Sequence, residues 1–283
     1  MMKMEVKEKT GMMKIVIMAM AAVMMMAVVS CSNDEEMNAK VLTFVIAGGE
    51  TRATVSEASL TDVWVFDYVG GELKQSVHQE STEDGFGTVS LTAEYGTHKL
   101  YFVASSGRVP AVNGTEITWE KCGDTFWATL ELTVQPSTSS SQSVVLNRVA
   151  TRLRIAVTDE VPVGLMTLRI TPTKWYSGLN YLTGEAAYQN NSVHDISVPS
   201  SFAGTTGSLA LGLWGISTKD AWQTDVRLQA IKSDESLMAD ITLANIPMRR
   251  NKITSVSGML FGASTPLGIT INTNWDETIE VTW

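Results

Sequence analysis

Short runs in which apolar and polar residues alternate recur along most of the chain. In TLELTV, for example, Leu130, Leu132 and Val134 share one face. Similar runs, rich in β-branched and aromatic residues and bounded by Gly, Asn, Asp or Ser, recur at a spacing of roughly 8 to 15 residues. No segment longer than about ten residues has a convincing helical period. The pattern therefore predicts an all-β protein of antiparallel sandwiches rather than βαβ units.

A Ser/Thr/Gln cluster, QPSTSSSQS, interrupts this pattern near the middle of the chain. It is either a linker or a loop before the last strand of a first domain. We favour the loop, because SVVLNRVATRLRIAV then supplies a closing strand and the opening strand of a second domain. This predicts an N-terminal β-sandwich over residues 41–149 and a C-terminal β-sandwich over residues 150–283, each long enough to bury its own core.

The amino-terminal segment has the proportions of a signal peptide. Four lysines precede IVIMAMAAVMMMAVV, a run of fifteen apolar residues, whereas a membrane-spanning helix needs about 20. Val28-Val29-Ser30-Cys31 fits a lipobox, in which residues 1–30 are removed and Cys31 carries acyl chains such as palmitate. Two or three acyl chains hold a protein on a membrane, whereas one barely does. The alternative is an ordinary secretory peptide with a cysteine there by chance.

Acidic residues dominate the chain behind Cys31. Asp34, Glu35 and Glu36 lie in residues 31–40, which we interpret as a solvated tether that keeps the body off the lipid. Removal of residues 1–30 takes four Lys and two Glu from the 21 basic and 30 acidic residues, which leaves a formal charge of −11. Such a surface repels phosphate backbones, so nucleic acid is not an expected partner. With Cys31 acylated, Cys122 has no partner for an intramolecular disulfide.

The sequence contains no pattern typical of an enzyme. His78, His98 and His194 are scattered, without a spacing that chelates zinc. Cys122 has no evident base or helix terminus to lower its pKa. The Gly-Gly pairs are turn residues, since a phosphate loop needs a following helix. We therefore expect no catalytic residue, no metal and no cofactor.

Several motifs together carry a resemblance to a known family. They are the lipobox, a Thr-Arg-Ala about twenty residues after the cysteine, DVWVFDYVGGEL, YGTHKLYFVAS, VVLNRVATRLRI and IPMRRNKITSVSG. In this order and spacing, from Cys31 to Trp283, the chain resembles the fimbrillin family of Bacteroidales pilus subunits and anchors. The acidic tether is similar to the export signal of their surface lipoproteins. The resemblance implies two tandem transthyretin-like β-sandwiches, attached to the outer membrane through acylated Cys31 and assembled into an adhesive fimbria with other subunits or copies of itself.

Assembly in that family implies strand exchange, which requires a donor with alternating apolar residues. A sandwich that lacks one strand has a hydrophobic groove with unpaired backbone groups, and a neighbour's strand completes it. Both ends of this chain have suitable patterns. Each buried anchor contributes roughly 1.5–3 kcal/mol before ordering costs. The anchors are Leu42, Phe44 and Ile46 in VLTFVIA, and Ile279, Val281 and Trp283 in TIEVTW.

The segment GGETRATVSEA follows the first of these strands. In the resembling subunits an arginine-specific protease cuts after such an arginine and frees the first strand, so Arg52 and Ala53 are the predicted scissile pair. A loop rich in Gly, Ser and Thr is accessible to a protease. The alternative is a plain surface arginine in a hairpin. An uncut subunit would be an anchor that keeps its lipid.

A glycan-binding surface lipoprotein is the other functional hypothesis. KWYSGLNYL groups Trp175, Tyr176 and Tyr181 in a loop-like stretch, where exposed rings would form a stacking platform for carbohydrate. Trp64 and Trp214 lie inside apolar strands and are predicted to be buried in the core. Coplanar exposed aromatic rings would favour this hypothesis, whereas a groove that matches a terminal strand would favour the pilus.

Overall fold

The computed structural model describes residues 38–48, 60–207 and 209–262. Strands and turns make up this part of the chain, apart from one short 3-10 turn at Ser200–Phe202. The prediction of an all-β protein is confirmed. The strands that precede residue 149 are β1 (Ala39–Gly48), β2 (Asp62–Val69), β3 (Glu72–Glu80), β4 (Thr88–Glu94), β5 (Gly96–Ser105), β6 (Arg108–Asn113), β7 (Glu116–Lys121), β8 (Thr125–Val134) and β9 (Ser141–Arg148).

Nine further strands follow Val149 within the described residues. They are β10 (Ala150–Val157), β11 (Leu165–Pro172), β12 (Tyr176–Asn180), β13 (Glu185–Gln189), β14 (His194–Ser197), β15 (Leu209–Ile216), β16 (Trp222–Lys232), β17 (Leu237–Met248) and β18 (Ile253–Gly258). The Ser/Thr/Gln cluster forms, over its first six residues, the predicted loop before β9, and its last three residues begin that strand. The sequence after it supplies two strands, β9 and β10, separated by a single residue.

Seven strands from the first half form one curled sheet in the order β3-β2-β5-β8-β9-β1-β4. Only two residue pairs join β8 to β9, so the sheet bends sharply there. The bend brings β1 over β5, and the rings of Phe44 and Phe102 lie 5.3 Å apart. The two parts, β4-β1-β9 and β3-β2-β5-β8, therefore enclose one core as a sandwich does.

The second half repeats this arrangement. Its sheets have the orders β15-β10-β18 and β14-β11-β16-β17, and they enclose a second core. When β10 is matched to β1 and β11 to β2, the remaining strands correspond in chain order. No sequence repeat is legible between the halves, because each strand needs only alternating apolar residues to keep its place. The domain ranges 41–149 and 150–283 stay a prediction, since the second extends beyond the described residues.

Two pairings depart from the predicted antiparallel sandwich. β1 pairs parallel with β9, and β10 pairs parallel with β18. A parallel pair needs a long crossover connection. In each half, all the other strands of that half lie between the two partners along the sequence and form this connection. Short-range alternation in the sequence does not contain this information.

A fourth sheet joins the two halves. Each half inserts one hairpin, β6-β7 or β12-β13, and together they form a sheet in the order β13-β12-β7-β6. The contact between the hairpins is the antiparallel pairing of β12 with β7. We call this the shared sheet. It covers the outer face of β2 and β5 and buries a third apolar cluster, which includes Trp64, Phe66, Tyr101, Trp119, Leu179 and Tyr181.

Candidate functional site

The first strand lies inside the sheet of the first half, with a partner on each side. Residues 39–45 pair with β4 and residues 43–48 pair with β9. Its side chains alternate: Leu42, Phe44 and Ile46 are at most 1% exposed, whereas Val41 and Val45 are 56% and 41% exposed. The residues predicted as anchors are therefore the ones that enter the core. We call β1 and the edges of β4 and β9 the β1 groove.

Departure of β1 would leave a groove with the properties of a strand acceptor. The facing edges of β4 and β9 would lose their backbone hydrogen bonds, and three apolar pockets would open to water. Each pocket represents roughly 1.5–3 kcal/mol of apolar burial, or about 5–9 kcal/mol for the three. An acceptor of this kind gains most from a strand that has apolar side chains at every second position.

The second half has a strand in the same position as β1. Leu153, Ile155 and Val157 of β10 are at most 1% exposed, and β10 lies between β15 and β18. However, only Val149 separates β10 from β9. β10 is thus joined directly to the last strand of the first half. The sequence interpretation did not identify β10 as the counterpart of β1.

The other predicted site residues lie outside the described residues. These are the lipidation site Cys31, the processing pair Arg52 and Ala53, and the carboxyl-terminal anchors Ile279, Val281 and Trp283. Lipidation, cleavage and carboxyl-terminal donation therefore remain predictions. Among the described residues there is no helix of the length and apolar character that crossing a membrane demands.

Two of the motifs that carried the family resemblance meet at the junction of the halves. Arg148 makes a bidentate ion pair with Asp124, with Nε–Oδ1 and Nη2–Oδ2 distances of 2.7 and 3.0 Å. Its Nη1 also donates to Oδ1 of Asn251 at 3.1 Å. Burial raises the pKa of Asp124, against the lowering effect of Arg148. Desolvation therefore offsets part of the attraction, and the pair serves mainly to fix the geometry of the junction.

The predicted aromatic platform is wrong. Trp175 and Tyr181 are each 1% exposed, and Tyr176 packs against the second core. Tyr181 stacks on Phe66 with ring centroids 3.8 Å apart, and its hydroxyl donates to the carbonyl of Gly114 at 3.0 Å. Tyr181 is buried because it follows β12 of the shared sheet, whose partner strand β7 lies far away in sequence. Trp175 is buried in the second core, and Tyr176 is half-buried.

The two tryptophans predicted to lie in the core have different environments. Trp64 is 3% exposed and stacks on His78 with ring centroids 4.7 Å apart, as expected of a core residue. Trp214 is only half-buried, with the guanidinium of Arg152 5.1 Å from its ring centroid. It lies on the face of β15 that is turned away from the second core, so the prediction for Trp214 is wrong.

The histidines and the free cysteine have the following surroundings. Nδ1 of His98 lies 2.7 Å from Oδ1 of Asp67 and Nε2 of His78 lies 2.9 Å from Oδ1 of Asp62, so both histidines join neighbouring strands.

Burial raises the pKa of the Cys122 thiol to about 12, which disfavours the thiolate. Over residues 38–48, 60–207 and 209–262, no three His, Cys, Asp or Glu side chains are placed to hold a metal ion.

Comparison with solved structures identifies relatives in fold at very low sequence identity. A structure from Bacteroides thetaiotaomicron to which polysaccharide binding has been attributed has a TM-score of 0.55 at 10% identity, over 82% of this chain and 95% of its own. A structure from Bacteroides ovatus to which an adhesin role has been attributed has a TM-score of 0.51 at 10% identity, over 77% and 88%. A fimbrial assembly protein from Parabacteroides distasonis has a TM-score of 0.47 at 11% identity, over 83% and 99%.

Comparisons of sequence give a family but no characterised relative. No curated protein matches this chain. One family model matches residues 92–283, which include β5 to β18 and thus most of both halves. The chain therefore belongs to the family of unknown function DUF6562.

Proposed function

We propose that this protein is a structural subunit of a cell-surface fimbria, exported as a lipoprotein and assembled by strand exchange, and that it supports adhesion. The observation that carries the proposal is the state of β1. It is the first described strand, all three of its predicted anchors are buried, and it has a backbone partner on each side. A cut between β1 and β2 would detach it covalently from all the other described strands.

The repeated strand order supports two tandem transthyretin-like sandwiches. Each half combines a three-strand layer and a four-strand layer around its own core. In both halves the first strand is the middle strand of the smaller layer. The similarity in fold to the B. ovatus structure with an attributed adhesin role agrees with this proposal.

The steps of assembly follow from the sequence and the β1 groove. Acylated Cys31 would hold the precursor on the outer membrane, and an arginine-specific protease would cut between Arg52 and Ala53. Release of β1 would open the groove, and a neighbouring subunit would supply a replacement strand. TIEVTW offers three apolar residues at alternate positions, the same number that β1 places in the groove.

The amino terminus and intact mass of the protein on the surface of its own cells test the first step. A chain that begins at Ala53 is a processed subunit, whereas a chain that begins at acylated Cys31 is an anchor that keeps its lipid. A chain that begins elsewhere in the body, or Cys31 without acyl chains, would contradict the proposal.

A peptide experiment tests the exchange itself. The chain that begins at Ala53 is mixed with a peptide of residues 272–283, and a matched peptide with Val281→Asp is the control. We expect the native peptide to raise the thermal midpoint and the control to have little effect, because a buried unpaired carboxylate is strongly disfavoured. Equal effects of the two peptides would refute donation by this segment.

A further inference from the structure

A cleft of about 620 Å³ lies where the shared sheet meets the second half. The end of β7 forms one wall, and β15 and the segment from β13 to β14 form the others. Trp175 and Ser177, on either side of Tyr176 in the sequence, also line it. Its volume is within the range of roughly 300–1,000 Å³ that is typical of ligand pockets. The cleft is separate from the β1 groove, whose strands do not contribute to its lining.

Three buried polar atoms of residues that line the cleft have no hydrogen-bond partner among the described residues. They are Oγ of Ser177, Nε1 of Trp119 and Nε2 of His194. Ser177 and Trp119 are 6% and 2% exposed, so bulk water does not hydrate them freely. Buried polar groups are nearly always paired in native proteins, because each unpaired one costs about 1–3 kcal/mol. An occupant of the cleft that forms these hydrogen bonds would remove the cost.

The chemistry of the three groups indicates what such an occupant offers. The indole N–H donates and the hydroxyl donates or accepts, while burial lowers the pKa of His194 and so favours its neutral imidazole. The lining contains charged side chains of both signs, such as the acidic Glu120 and the basic Lys121. The carboxylate of Asp195 is already held by Arg169 in a bidentate pair at 2.7 and 2.8 Å. The cleft therefore suits a ligand with many neutral donors and acceptors rather than an ion.

Aromatic rings supply much of the apolar part of the lining, beside the aliphatic side chains of Val193, Ile196 and Leu213. Trp175 and Trp119 are buried in the walls, whereas Tyr188 is 56% exposed. Tyr188 also has a φ of 49°, which is uncommon for a bulky residue. Such a backbone conformation costs free energy, and residues that adopt it cluster at binding and active sites. Aromatic rings beside hydrogen-bonding groups suit a ligand that has an apolar face, which packs on a ring, and hydroxyl groups along its edge, which form hydrogen bonds.

We propose that this cleft binds a neutral saccharide, with Ser177, Trp119 and His194 as hydrogen-bond partners of its hydroxyls and Tyr188 in contact with its apolar face. The site differs from the stacking platform expected from the sequence, with which it shares only Trp175. It also stands independently of the proposed assembly, since a subunit or an anchor would carry the same cleft.

The test uses the full-length protein and saturation-transfer NMR against mannose, galactose, glucose and N-acetylglucosamine, followed by titration with each sugar that binds. We expect at least one of them to bind, and Ser177→Ala and Tyr188→Ala each to weaken it by roughly tenfold, the effect of about one hydrogen bond or ring contact. Tyr95→Ala is the matched control, because Tyr95 is also an exposed tyrosine, at 38%, and does not line the cleft. It should leave binding unchanged.

Thermal unfolding of the same variants separates binding from folding. Because the hydroxyl of Ser177 has no partner, Ser177→Ala should leave the free protein at least as stable as before. Absence of binding by all four sugars, or binding that Ser177→Ala and Tyr95→Ala affect equally, would overturn the proposal. Binding of the peptide of residues 272–283 that Ser177→Ala weakens, without sugar binding, would assign the cleft to a strand and overturn it too.

Discussion

Phe44 is the residue whose replacement tests the β1 groove most directly. Its side chain is completely buried at the centre of β1 and packs against Phe102 on the opposite layer. Phe44→Ala removes most of a benzyl group and leaves a cavity between the two layers. Replacement of a buried Phe by Ala typically costs about 3–5 kcal/mol, and we expect a value in this range for the unprocessed protein.

Val45 provides a matched control in the same strand. It is adjacent to Phe44 but 41% exposed on the opposite face, so Val45→Ala should cost less than about 1 kcal/mol. Urea unfolding followed by tryptophan fluorescence measures both free energies. Similar losses for the two variants would show that the alternation along β1 does not determine its stability in the groove.

The same substitution, placed in a peptide, tests whether β1 can be replaced by a strand from another molecule. A peptide of residues 38–48 should bind the chain that begins at Ala53, and the Phe44→Ala peptide should bind about 100-fold more weakly or worse, since each 1.4 kcal/mol is tenfold in affinity. If the native peptide fails to bind this chain, the groove does not survive the loss of β1, and strand exchange at this position is refuted.

Three further predictions concern other parts of the fold. Arg148→Ala should cost about 3 kcal/mol in urea unfolding because it removes the ion-pair partner of the largely buried Asp124, whereas Arg169→Ala, in an exposed bidentate pair, should cost less than about 1 kcal/mol; equal costs would contradict this. Gly184→Ala should destabilise more than Gly85→Ala: both have positive φ, but a Cβ at 184 would lie 2.7 Å from a tryptophan ring. Because the folded pKa of Cys122 is raised from 9.0 to about 12, its contribution to stability should fall above pH 9 by about 1.4 kcal/mol per pH unit, and Cys122→Ala should remove that slope.

The sequence predicts those features that depend on local alternation. The apolar face of β1 and the burial of Trp64 follow from residues next to each other in the chain. The turn between β2 and β3 is similar, because Gly70 and Gly71 both have positive φ, as a two-residue hairpin loop requires. Here a short stretch of sequence determines its own geometry.

Features that depend on distant pairings are not predictable in this way. Trp175 and Tyr181 belong to KWYSGLNYL, a stretch whose sequence is typical of an exposed loop, but the pairing of Gly178 with Thr118 places its middle in the shared sheet. The cleft was missed for the same reason, since its walls come from hairpins of both halves. Only an expectation that the two inserted hairpins pair with each other would have found either feature.

The equivalence of β1 and β10 explains why strand exchange would involve the first half rather than the second. Both are central strands that place three apolar side chains in a sandwich core, so core burial alone does not distinguish them. A cut before β11 would leave β10 attached through Val149 to β9, and the ion pair of Arg148 holds that junction in place. A cut before β2 leaves β1 without a covalent link to any other strand that the structure describes. One proteolytic event thus makes β1 free to dissociate, and the same event in the second half would not free β10. If the proposed strand exchange takes place, the connectivity of the chain, and not the depth of burial, would therefore select the first half as the acceptor.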